Sequence, residues 1–157
     1  MSESARDPLL TGLVLVRTLM SQAPPGVDQF VTVVNYARRL RASGTVALPV
    51  TDERLLFLGM LSDRDVIEQC VADGQDPNAV TVGSLVRPGQ ATIDPDRVAD
   101  AAVLAMIIAQ PQAELPVVQD GRLVGLLSIA DLAVPMIDQF EDHPLDLDQL
   151  WTDDSRY

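Results

Sequence analysis

The feature that most constrains this chain is an internal repeat. Leu48-Pro49-Val50 recurs as Leu115-Pro116-Val117, and Gly59-Met60-Leu61-Ser62-Asp63-Arg64-Asp65 recurs as Gly125-Leu126-Leu127-Ser128-Ile129-Ala130-Asp131, in the same order both times. The spacing between the two landmarks is one residue shorter in the second copy, and the difference falls in turn-like stretches where loop length is cheap to change. A duplicated unit of roughly sixty residues lies at the lower edge of what folds alone, so two copies are expected to share an interface.

Each copy reads as β-α-β-β-α, an α/β (α+β) unit. In the second, residues 91–93 suit a short strand. Asp94 as N-cap with Pro95 at the first helical position predicts an alanine-rich helix ended by Pro111. Apolar runs at 115–118 and 123–127, separated by Gln119-Asp120-Gly121, predict a β-hairpin, and Ser128 opens another helix. The first copy follows with a helix over 31–43 stopped by Gly44, strands near 46–50 and 55–61, and a helix over 62–72. Residues 13–20 and 81–86 read as equivalent lead-ins. The resulting division is an N-terminal tail at 1–12, repeats at 13–73 and 81–140 with a linker at 74–80, and an acidic tail at 141–157.

Composition narrows the function. In 157 residues, 11 Lys and Arg face 23 Asp and Glu, a net charge of −12, which disfavours nucleic acid and anionic membranes as partners. Hydrophobic residues at 47% supply a core, while aromatics at 4% leave it to Val, Leu, Ile, Ala and Met. One cysteine, Cys70, and one histidine, His143, supply neither a disulfide nor a soft zinc set, which suits a reducing cytoplasm. The apolar run near the N-terminus is interrupted by Arg17 and follows no basic stretch, so the expectation is a soluble, unprocessed protein. Cys70 reads as a small buried hydrophobe, and His143 as a solvated side chain of the acidic tail. Trp151 with Leu145, Leu147 and Leu150 leaves open whether the tail docks on a partner or on its own body.

The sharpest local signal is Gly-x-Leu-Ser-x-x-Asp, twice, at the exit of a strand and the entrance of a helix. Hydroxyl and carboxylate fall in one helical turn, beside free N–H groups that attract anions; a carboxylate there can also accept from a ribose diol. Ser-x-x-Asp is equally close to a capping box, in which both side chains serve the helix's own start. Repetition weakens that plainer reading without removing it, since duplicated folds duplicate their caps.

On these residues the repeat resembles a pair of cystathionine-β-synthase (CBS) domains, a Bateman module, over roughly residues 13–139. Thr92-Ile93-Asp94-Pro95-Asp96 is similar to the family's usual opening, and the short linker is similar to that of stand-alone CBS pairs. The resemblance implies two units packed about a pseudo-two-fold with adenosine-ligand clefts between them. It implies phosphate-side hydroxyls at Ser62 and Ser128, ribose carboxylates at Asp65 and Asp131, and an adenine pocket near Gly26, Val27, Leu48, Pro49, Thr92, Ile93, Leu115 and Pro116, with Arg64 as the cation for a phosphate. Ala47 and Glu114 stand where nucleotide-binding members often carry a basic residue, and Ile129-Ala130 replaces Asp63-Arg64, so the two sites are expected to be unequal.

The function this implies is a non-enzymatic regulatory sensor, with no catalytic residue, no metal and no required cofactor. Its ligand would be AMP, ADP, ATP, S-adenosylmethionine or a similar compound, with a monophosphate or uncharged adenosyl compound suiting the charge better than a metal-free triphosphate. A homodimer through the helix at 98–108 and the helix after Ser128 is expected. Two rivals stay open: an interaction scaffold with degenerate sites and an unidentified protein partner, and an enzyme acting through Asp65 or Asp131.

Overall fold

The computed structural model describes residues 14–110 and 113–133. The elements in chain order are α1 (Val16–Leu19), β1 (Val27–Asp28), α2 (Val33–Ser43), β2 (Ala47–Thr51), β3 (Phe57–Ser62), α3 (Asp63–Val66), α4 (Ala101–Ile108), β4 (Glu114–Gln119) and β5 (Arg122–Ser128). A π-helical turn, Ile67–Val71, continues α3, and a 3-10 turn spans Val82–Ser84. Residues 129–133 are helical.

The duplication seen in the sequence is a duplication of register. In the first repeat β2 and β3 run antiparallel, with Leu48 opposite Leu61 and Pro49 opposite Met60, and β1 lies parallel to β2 through Val27 and Val50. In the second, Leu115 faces Leu127, Pro116 faces Leu126, and Ile93 bridges Val117 in parallel. Each pair carries an irregularity at the same place, after Val50 and after Val117. The β4–β5 connection is the two-residue turn Asp120-Gly121, with φ of 51° and 76°, as hairpins with right-handed twist favour.

Each repeat has its own apolar core, but each borrows from the other's lead-in. Val82 and Leu85, which introduce the second copy in sequence, are buried with Val27, Tyr36, Leu40, Leu48, Val50 and Leu61 of the first. Val16, which introduces the first copy, is buried with Ile93, Val103, Ile107, Leu115, Val117 and Leu127 of the second, with Leu19 and Met20 packed against them. Val16 and Val82 are both fully buried, an effect of about 1.5–3 kcal/mol each. Main-chain bridges repeat the exchange, Leu15 with Val98 and Thr32 with Thr81. The lead-ins are therefore the crossed straps that hold the repeats together.

That crossing corrects the expected helix at Asp94-Pro95. The Pro95 and Arg97 carbonyls accept from Arg17 N and Val16 N at 2.9 Å, and Ala99 N donates to Val14 O at 2.7 Å. These groups are no longer available to a helical ladder. Asp94 instead closes a turn, its Oδ1 accepting from Asp96 N at 2.8 Å, and the helix begins at Ala101 with Asp100 Oδ1 accepting from Val103 N at 3.1 Å. The strand expected at 91–93 shrinks to the single bridge at Ile93. The strand expected from Leu55 starts at Phe57, because the Asp52 carboxylate accepts from Arg54 N and Leu56 N, both at 2.8 Å, and holds Leu55 at φ 63°. Pro111, His143 and Trp151 lie outside the described residues.

Candidate functional site

Both copies of Ser-x-x-Asp fold as capping boxes. β3 ends on Ser62, whose Oγ accepts from Asp65 N at 3.1 Å; Asp65 Oδ2 accepts in turn from Ser62 N at 3.0 Å and Ser62 Oγ at 2.6 Å. Ser128 repeats the arrangement with Asp131, at 2.7 Å for N to Oδ2, 2.8 Å for Oγ to Oδ2 and 3.3 Å for Asp131 N to Oγ. The reciprocal bonds satisfy donors at each helix start. They also fix the carboxylates rigidly at the mouth of the strand.

Asp65 has a second task. Its other oxygen, Oδ1, pairs with Arg87 Nε at 3.4 Å on the wall of a cavity of about 510 Å³ lined by Val46, Ser62, Asp63, Arg64, Asp65, Glu68 and Arg87. Arg87 arrives from the strap beyond the 3-10 turn, and Gln69 fastens that strap by donating from Nε2 to Leu85 O at 3.0 Å. Val46, 56% exposed, also walls a larger cavity of about 690 Å³ with Ser21, Pro24, Pro25, Ala47, Leu126 and Glu114. This second space lies between the repeats, since it takes Ala47 from β2 and Glu114 and Leu126 from β4 and β5.

The two ends differ in the charged groups they hold. The smaller cavity carries two guanidiniums, Arg64 and Arg87, against three carboxylates, Asp63, Asp65 and Glu68. The larger has Glu114, whose carboxyl is pushed above its ordinary value by burial first and by Asp131 second. In the first repeat Ala47 occupies the register position of Glu114, opposite Ser62 as Glu114 is opposite Ser128.

Of the residues singled out in the sequence, Ser62, Arg64 and Asp65 line one cavity together. Gly26 borders a third hollow of about 390 Å³ with Pro24, Pro25 and Thr51. Val27, Leu48, Ile93 and Leu115 belong to the apolar cores, and Pro49 and Pro116 are buried in β2 and β4; none of the six lines either of the first two cavities. Thr92 is exposed. Cys70 is buried and free. Sequence reasoning missed Arg87. Its only local mark is a basic residue before Pro88-Gly89, and its place beside Asp65 follows from the crossed strap.

Among the described residues no group of three or more His, Cys, Asp and Glu side chains is arranged to hold a metal, and no helix is long and apolar enough to cross a membrane.

The geometry has counterparts in known proteins. The CBS domain model matches residues 82–135. Hypoxic response protein 1 of Mycobacterium tuberculosis is 30% identical over 124 residues, which is 77% of this chain and 84% of that protein. The crystal structure of Hypoxic Response Protein I with two coordinated zinc ions superposes with a TM-score of 0.67 at 28% identity, covering 77% of this chain and 98% of that one. The structure of CBSX2 in complex with AMP, at 23% identity, superposes with a TM-score of 0.63 over 80% of this chain and 97% of its own. Two repeats of one register, each ending a strand in the same Ser-x-x-Asp cap, together with a relative that matches along most of both lengths, identify the chain as a member of the CBS domain family, built as a CBS pair.

Proposed function

We propose that this CBS pair is a non-enzymatic regulatory module that binds an adenosine-derived ligand in the cleft between its repeats. The observation that carries the reading is Asp65: one carboxylate oxygen is locked in the cap, and the other, paired with Arg87, lies on a cavity that Arg64 also lines. The adjoining space, with Pro24, Pro25, Val46, Ala47 and Leu126, offers the apolar surface a purine needs. The AMP complex of CBSX2 supports the same ligand class.

In this reading, Ser62, Arg64, Asp65 and Arg87 form the first-repeat site, and Ser128 and Asp131 the second, weaker one. The functional division is repeats at 13–73 and 81–140 about a linker at 74–80, in a cytoplasmic homodimer. The exposed Ile108 and Ile129 are apolar positions on the helices that would meet in that dimer. A ligand that touches both repeats acts by population shift, favouring one relative placement by its differential affinity for it.

Thermal-shift measurements with AMP, ADP, ATP and S-adenosylmethionine test the proposal, because a ligand of the native state raises Tm by mass action. A shift with at least one compound, reduced in Asp65→Ala more than in Asp131→Ala, is expected. No shift with any of them at millimolar concentration would overturn the reading.

A further inference from the structure

Glu68 stands between the two arginines of the smaller cavity. It belongs to the π-helical turn, a distortion that often marks functional positions. Its Oε1 accepts from Arg64 Nε at 2.7 Å and its Oε2 from Arg87 at 3.1 Å, so one carboxylate joins α3 to the strap. The arginines hold its carboxyl below the usual range, Arg64 contributing most. At neutral pH, Glu68 is thus ionised and engaged. Charged residues lining the cavity are Asp63, Asp65 and Glu68 against Arg64 and Arg87, a balance of 2 − 3 = −1.

A phosphate entering this space finds Arg64 paired with Glu68, and Arg87 paired with Glu68 on one side and with Asp65 Oδ1 on the other. It must displace Glu68 or share the arginines with it, at a like-charge cost that solvent reduces because the Arg64, Glu68 and Arg87 side chains are 80%, 44% and 59% exposed, whereas an uncharged 5′ substituent meets no such opposition. The second repeat offers no substitute pair of cations, since Ala130 stands at the position of Arg64.

We infer that Glu68 is a specificity-determining residue, a built-in counter-ion that turns the first-repeat site away from 5′-phosphates and towards adenosine compounds whose 5′ end carries no negative charge. The inference rests on the adenosine-ligand reading above and narrows it. It separates two jobs within one cavity: Asp65 receives the sugar, and Glu68 selects what may be attached to it.

Isothermal titration of the full chain with adenosine and with AMP, in wild type, Glu68→Gln and Glu68→Ala, tests it. Wild type is expected to bind adenosine at least as tightly as AMP, and both variants to shift the ratio of the two affinities towards AMP by about fivefold or more. Because the readout is a ratio within one protein, a general change in stability does not move it. A wild type that prefers AMP severalfold, or a ratio unchanged in both variants, would overturn the role of Glu68 while leaving the adenosine site standing. Binding of neither compound by any of the three proteins would overturn the inference, and the adenosine site falls with it where AMP, ADP, ATP and S-adenosylmethionine give no thermal shift either.

Discussion

The side chain of Gln90 pairs with the main chain of Met60 as a neighbouring strand would, its Nε2 donating to Met60 O and its Oε1 accepting from Met60 N, both at 2.8 Å. The equivalent place in the second repeat is served by backbone: Ser21 N donates to Leu126 O at 2.9 Å and Leu126 N to Ser21 O at 3.0 Å. The reason lies between the strap and the sheet. Pro88 has no N–H, and Gly89 at φ 74° turns the chain, so a carboxamide substitutes for a peptide unit. Gln90→Leu leaves both Met60 groups without that partner and should cost about 1–3 kcal/mol in urea unfolding. A loss below about 0.3 kcal/mol would mean that water replaces the amide at this edge.

Close approach of the same straps explains the repeated glycine. A Cβ on Gly125 would lie 2.6 Å from Met20 Sδ and 2.9 Å from Ser21 O; one on Gly59 would lie 2.6 Å from Val86 Cγ1. The methionine can swing aside, but the Ser21 carbonyl is main chain and is bonded to Leu126. Gly125→Ala should therefore push the α1 strap off β5 and cost about 1–3 kcal/mol, with faster amide exchange at Leu126 than in wild type. Unchanged exchange at Leu126 would show that the strap yields without losing its bonds.

What could be read in the residues, and what could not, divides along sequence distance. Asp120-Gly121, Gly44 after α2 and Ser62 with Asp65 act within a few positions, and their turn, stop and cap are where local rules put them. Asp94-Pro95 satisfied the same rules for a helix start and lost, because Val16, Arg17 and Val14 of the distant strap claimed its main-chain partners. Arg87 was invisible for the same reason: only the crossing brings it to Asp65. Glu68 likewise gains its meaning from Arg87 as well as from the neighbouring Arg64.

Tyr36 ties α2 to the sheet of the first repeat. It is fully buried, its hydroxyl accepting from Leu48 N at 3.0 Å and donating to Leu61 O, a facing pair of β2 and β3. Burial raises its phenol above the ordinary value, so it remains a donor at all ordinary pH. Tyr36→Phe keeps the ring and strands both strand groups, with an expected loss of about 1–3 kcal/mol in chemical denaturation. A loss near zero would mean that β2 and β3 close directly on each other once the hydroxyl is gone.

Glu114 sets a pH dependence whose sign follows from its direction of shift. Its carboxyl is raised in the folded protein, by burial and then by Asp131, so the native state binds a proton more readily than the unfolded chain does. Stability from this group is therefore greatest at low pH and falls as pH rises from the ordinary glutamate range, about 4.3, through the raised native value. Glu114→Gln removes an ionised group from an unfavourable place at neutral pH and should raise Tm at pH 7. The gain should shrink on acidification and vanish below about pH 4, where wild-type Glu114 is protonated in both states. Because the side chain is only half-buried, the stabilisation should stay below about 1 kcal/mol. A Tm difference that does not change between pH 4 and pH 7 would assign the effect to packing in the cavity instead of to charge.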